Sequence, residues 1–117
     1  MVDRFQKASI TNIKCVESEN MDPKIPEKCD VIFTCNTYHH FSDRVKYFEN
    51  LKQYLKPNGM LVIVDFKKEE FPVKMGPPLH IKIERSQILE ELSNAGFKAL
   101  DITFPTTYHN NLFFSAL

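Results

Sequence analysis

Two apolar runs without alternation, Val31-Ile32-Phe33 and Met60 to Val64, flank a stripe of apolar residues recurring every three or four positions. A run that lacks polar alternates predicts a strand covered on both faces, as in a parallel sheet. Between the runs, Phe41, Val45, Phe48, Leu51 and Leu55 make one face of a helix. Ser42 is placed to cap that helix, Asp43 suits its positive end, and Lys56, Pro57 and Gly59 close it. Residues 30 to 66 thus predict strands at 30–35 and 60–66, parallel and joined by a right-handed crossover.

Around this unit the patterning is weaker. Residues 1 to 9 hold a few helix formers, and residues 13 to 17 alternate like a short strand. Pro23 and Pro26 predict a loop from Glu17 to Lys28. Residues 67 to 83, with Pro72, Gly76, Pro77 and Pro78, are too irregular for an element and long enough to suggest a lid. Ile88, Leu89, Leu92 and Ala95 predict a second helix ended by Gly96. Residues 98–104 and 111–117 then read as strands of an antiparallel hairpin.

At 117 residues and 43% hydrophobic composition, the chain predicts a single domain, residues 1–117. Fifteen basic side chains balance fifteen acidic ones, and no basic patch is interleaved with aromatics, so charge indicates no nucleic acid and no membrane as partner. No apolar run approaches the roughly 20 residues of a membrane span, and the amino terminus has no signal-peptide core, so the chain reads as cytoplasmic. Cys15, Cys29 and Cys35 lack paired spacing and read as buried free thiols.

Four stretches carry a family resemblance: "CDVIFTCNTYHHFSDRVKYFENLKQYLKPNGMLVIVDF" at 29–66, "MGPPLH" at 75–80, "ILEELSNAGF" at 88–97, and the closing hairpin. Together they resemble the carboxyl-terminal half of a class I S-adenosylmethionine-dependent methyltransferase, most strongly over residues 29 to 97. The resemblance implies an α/β fold, a partial Rossmann-like methyltransferase sheet. That family orders its strands 3-2-1-4-5-7-6, with strand 7 antiparallel. Residues 13–17, 30–35, 60–66, 98–104 and 111–117 would be strands 3, 4, 5, 6 and 7, and strands 1 and 2 lack counterparts.

The family holds the methionine end of its cofactor on a glycine-rich turn after strand 1, and Gly59, Gly76 and Gly96 are too scattered to form one. The chain therefore carries about half of a cofactor pocket and leaves sheet edges open. Either it is part of a longer protein, or two copies form a homodimer through those edges.

Ligands in open α/β sheets bind beyond the carboxyl ends of the strands, where Cys35 to His40 lie. By resemblance, S-adenosylmethionine is the cofactor. Asn36 and Thr37 would meet its amino-acid end, Tyr38 would offer an aromatic face to the sulfonium, and Glu19 would meet the adenine amino group. Ordinary turn chemistry with one packed tyrosine is the plainer reading of residues 36 to 38. Methyl transfer is an in-line displacement that also needs a base when the acceptor is protonated. His39 and His40 cannot both face the site, and His39 is the candidate base; His80, in the "MGPPLH" loop, would lie near the acceptor, and Asp65 could face the same crevice. Asp30 matches the family motif at the far end of its strand. Zinc held by Cys35, His39 and His40, with Cys29 as fourth ligand, is disfavoured because adjacent histidines make a poor pair, so no metal is expected.

The expected function is S-adenosylmethionine-dependent methyl transfer to a small-molecule or unknown acceptor. The alternative is a non-catalytic half-domain that acts as a dimerisation or interaction module.

Overall fold

In the computed structural model, residues 11–19, 21–72 and 75–116 are described. Their elements run β1 (Cys29–Cys35), α1 (Arg44–Leu51), β2 (Leu55–Phe66), α2 (Arg85–Asn94), β3 (Phe97–Ala99) and β4 (His109–Ala116). Short 3-10 turns lie at Tyr38–His40 and Lys52–Tyr54.

The two non-alternating runs lie side by side and parallel, Ile32 opposite Leu61 and Thr34 opposite Ile63. On the other side of β2, β4 runs antiparallel from Met60 opposite Ser115 to Phe66 opposite His109. β3 pairs with the end of β4, so the sheet order is β1-β2-β4-β3. This is the 4-5-7-6 end of the expected order, with the antiparallel strand in its expected place.

Alternation along β2 sends Leu61, Ile63 and Asp65 to one face. There Leu61 and Ile63 join Phe48 and Leu51 of α1, Ile88 and Leu92 of α2, and Leu112 and Phe114 of β4 in one core. Each fully buried Phe contributes about 2 kcal/mol relative to exposure. The first run, expected to be covered on both faces, is covered on one: β1 is the edge strand of the described sheet, and its opposite face keeps Val31 51% and Phe33 61% exposed.

Several element boundaries differ from expectation. Asp43, not Ser42, caps α1, its carboxylate accepting from the Lys46 N–H at 3.3 Å. Ser42 lies one residue too early to reach that amide. β2 begins at Leu55 rather than residue 60, because Leu55 already pairs with Cys29 before Lys56 to Gly59 bulge outward. Gly59 suits this bulge: a Cβ there would sit 2.8 Å from a Leu55 methyl and 3.1 Å from the Cys29 carbonyl. Gly96 follows α2 at φ +91°, a left-handed position that a side chain resists.

The strand expected at 98–104 stops at Ala99. Beyond it, the Leu100 N–H still donates to the Phe113 carbonyl at 2.7 Å, and farther on the Asn111 side chain donates to the Phe104 carbonyl at 2.6 Å. Residues 13–17 are exposed and unpaired, so the expected third strand is not in the sheet; a strand without a ladder partner leaves its amides to water. Residues 1–9, expected as a helix tail, lie outside the described residues. The cysteines are free, but Cys15 and Cys35 are exposed and Cys29 is half-buried, because each sits at or beyond the sheet margin.

Candidate functional site at the carboxyl ends of the parallel strands

β1 ends at Cys35, and Asn36 then adopts a left-handed φ of 55° while its N–H donates to the Val64 carbonyl at 2.8 Å. Asparagine tolerates that conformation, and it turns the chain off the sheet. The Thr37 hydroxyl donates back to the Cys35 carbonyl at 2.9 Å, and the 3-10 turn begins.

Within this turn successive side chains point in different directions. Tyr38 is fully buried, its ring 5.3 Å from Phe48 and its hydroxyl donating to Glu91 at 2.8 Å. It offers no face to a sulfonium: the packed-tyrosine reading is the one realised, because the turn docks on α1 and α2. Glu91 also receives Arg44 Nε at 2.8 Å and Nη2 at 3.0 Å. Burial pushes the Tyr38 hydroxyl far up, and the Glu91 carboxylate adds to this. Burial also pushes Glu91 upward, yet hydrogen bonds from Arg44 and Tyr38 outweigh it and hold the carboxyl below its ordinary value. The Glu91 hydrogen bond, opposed by desolvation, holds Arg44 charged.

His39 turns the other way, onto Asp65 at the end of β2. The Asp65 carboxylate accepts the His39 backbone N–H at 3.0 Å and the Phe66 N–H at 2.8 Å. It also lies 2.9 and 3.0 Å from His39 Nδ1. A carboxylate only accepts, so Nδ1 carries the proton and the neutral ring has its lone pair on Nε2. Both side chains are nearly buried, 4% and 3% exposed, which keeps water from competing for the bond. Asp65 is therefore central to the site.

His40 is exposed, with its ring 4.1 Å from that of His39. It borders an open cleft of about 350 Å³ with Glu19, Met21, Phe41 and Tyr47. Glu19 is positioned by a backbone bridge to Asp22 and lies 3.8 Å from Lys24 Nζ. The structure thus gathers Asn36, Thr37 and His39 at the strand ends and sets Glu19 across a cleft from His40. His80 is exposed on the Pro78–Lys82 turn and shares none of these hydrogen bonds, because backbone bonds from Ile81 and Lys82 to Pro78 point the turn outward.

Sequence reasoning missed His109, whose Nε2 lies 3.0 Å from Asn36 Oδ1 and whose ring lies tilted against Phe66, 4.5 Å between centroids. The signal was available: a histidine starting a strand antiparallel to β2 falls at the carboxyl end of β2. Arg44 and Glu91 had no such signal, being polar positions on two otherwise ordinary amphipathic helices.

A family model described as a methyltransferase domain matches residues 2–61. This chain belongs to that methyltransferase family. It is 28% identical to a S-adenosylmethionine-dependent methyltransferase from Aquifex aeolicus, with a TM-score of 0.86 over 99% of this chain and 61% of that one. A putative type 11 methyltransferase from Sulfolobus solfataricus is 29% identical, with a TM-score of 0.66 over 80% of this chain and 53% of that one. An O-methyltransferase of neocarzinostatin biosynthesis, solved with S-adenosyl-L-homocysteine and 1,4-dihydroxy-2-naphthoic acid, shares the fold at 15% identity; its TM-score is 0.80 over 99% of this chain and 38% of that one. The methyltransferase chain thus spans between about two fifths and three fifths of these solved proteins. No curated protein matches it. Among the described residues no helix is long and apolar enough to cross a membrane.

Proposed function

We propose that this chain carries the acceptor side of a S-adenosylmethionine-dependent methyl-transfer site. The observation that carries the reading is the buried Asp65–His39 pair, built from the adjacent carboxyl ends of two parallel strands. Asp65 holds the imidazole so that Nε2 can take a proton from a hydroxyl or amine acceptor as it is methylated. His40, whose ring lies tilted against that of His39, is the side chain an acceptor displaces to reach that nitrogen.

The residues present fit one part of the cofactor. Glu19, across the cleft from His40, suits the adenine amino group, and Asn36 and Thr37 suit its amino-acid end. When bound, the cofactor supplies an electrophilic methyl group on a sulfonium. The methionine-end turn is a different matter: Gly59 lies in a strand bulge, Gly76 in the loop before α2, and Gly96 at the end of α2. We infer that residues 1–117 act as one domain and that further polypeptide, or a second copy, completes the pocket.

Calorimetric titration with S-adenosylhomocysteine tests this. Saturable binding that weakens in Glu19→Gln is the expected result. No binding at millimolar ligand, once the completing polypeptide or second copy is present and the protein is folded, would overturn it.

A second reading, a non-catalytic dimerisation or interaction module, is favoured by the exposed Val31 and Phe33. A groove of about 450 Å³ also follows the outer edge of β1, between Val16, Ile25 and Val31. Light scattering that finds a monomer at high concentration would remove the homodimer version.

A further inference from the structure

Two small cavities meet beyond the carboxyl end of β2, on its β4 side. The first, of about 190 Å³, is bordered by Lys67, Arg85, Phe104, Thr106, His109 and Asn110. The second, of about 260 Å³, shares Lys67, Arg85 and Asn110 and adds Lys68 together with Glu69 and Glu84. No carboxylate lines the first.

Lys67 is the first residue past β2, and its N–H donates to the Tyr108 carbonyl at 2.9 Å. Arg85 opens α2. Among the described residues neither forms an ion pair, as is true of most of the described lysines; what sets these two apart is the cavity they share. The position of Arg85 is also unfavourable in its own element. It stands at the positive end of α2, where the acidic N-cap residue Glu84 makes no side-chain cap and faces the second cavity rather than the first. Two cations without an ion-pair partner among the described residues and the amino-terminal end of α2 converge on one cavity that no carboxylate lines. An oxyanion bound between the two cations would gain charge-assisted hydrogen bonds from both.

The cavity adjoins the proposed chemistry. Asn110 is directly opposite Asp65 in the β2–β4 ladder, and Asp65 holds His39. We propose that Lys67, Arg85 and the Asn110 amide bind an oxyanion group of the methyl acceptor, a carboxylate or a phosphate, so that the acceptor is a small anionic molecule. That the ligand is the acceptor rests on the methyl-transfer reading; the anion site itself does not. The planar Arg85 guanidinium suits either oxyanion through paired N–H donors, and Lys67 adds a point charge.

The test is a nitrogen-15 NMR titration of the full chain with inorganic phosphate and, separately, with benzoate, at constant ionic strength held by chloride. Saturable shifts are expected at the Arg85, Ser86 and Asn110 amides, weakened about tenfold by Lys67→Gln or by Arg85→Gln and unchanged by Lys98→Gln on the far side of the sheet. The tighter of the two probes names the oxyanion. Shifts that track chloride, fail to saturate, or survive the Lys67→Gln/Arg85→Gln double variant would overturn the site; circular dichroism on that variant verifies its fold. S-adenosylhomocysteine calorimetry on the same proteins separates the two readings. A silent anion titration with intact S-adenosylhomocysteine binding removes the anionic acceptor alone. Anion binding without S-adenosylhomocysteine binding, in the presence of the completing polypeptide or second copy, keeps the site and removes methyl transfer.

Discussion

Tyr38 sends its hydroxyl between the helices to meet Glu91, while His39, one residue on, lays its nearly buried ring against Asp65 at the end of β2. A 3-10 turn separates successive side chains by about 120°, so neighbours in it face different environments. Tyr38→Phe keeps the ring packing and removes one hydrogen bond. Glu91 retains Arg44, so a loss of about 1 kcal/mol in urea unfolding is expected. Asp65→Asn is more severe. An amide cannot accept from the His39 N–H, the Phe66 N–H and Nδ1 as a carboxylate does, and the expected loss is about 2 kcal/mol. Its NH₂ would also donate to Nδ1, moving the ring proton to Nε2, which nitrogen-15 shifts of His39 would report. Methyl transfer to a protonated acceptor should then fall by roughly 10² to 10⁴. The sequence already singled out His39 and noted Asp65, because both lie at strand ends. It left the direction of Tyr38 open, since a three-residue turn has no periodicity to betray its buried face.

Between elements, Arg44 from α1 and Glu91 from α2 clamp the two helices over Tyr38, joining the turn that bears His39 to the helical layer. The folded carboxyl of Glu91 ionises below its ordinary value of 4.5, despite the opposing cost of burial, because Arg44 and Tyr38 donate to it. The folded state therefore binds its proton less readily than the unfolded chain. This stabilisation is complete above about pH 4.5 and is lost as pH falls through the lower folded value. Thermal melts between about pH 3 and 6 should show that acid loss, and Glu91→Gln should flatten it while lowering the melting temperature at neutral pH. The clamp is partly open to solvent, so its worth is discounted toward that of a surface pair. Both helices were readable from their apolar stripes; the clamp was not, since polar positions on a stripe's flank carry no mark of their partner.

For the molecule as a whole, the consequence of the sheet order is one face carrying both described helices and another on which Val31 and Phe33 stay exposed. Exposed aromatics beside an open strand edge invite association. If copies associate there, Phe33→Lys should yield a monomer by light scattering at concentrations where the parent chain is larger; equal masses would exclude this face. The parallel pair, its crossover and the antiparallel last strand could all be read from the amino-acid order, because an unbroken apolar run, a repeat of 3.6 and the turn residues between them are local properties of the chain. The junctions that make a site were otherwise decided. Asp65 meets His39 across 26 positions, Glu91 meets Tyr38 across 53, and His109 meets Asn36 across 73. Such meetings depend on how packed elements orient their ends, and no local repeat extends over those distances.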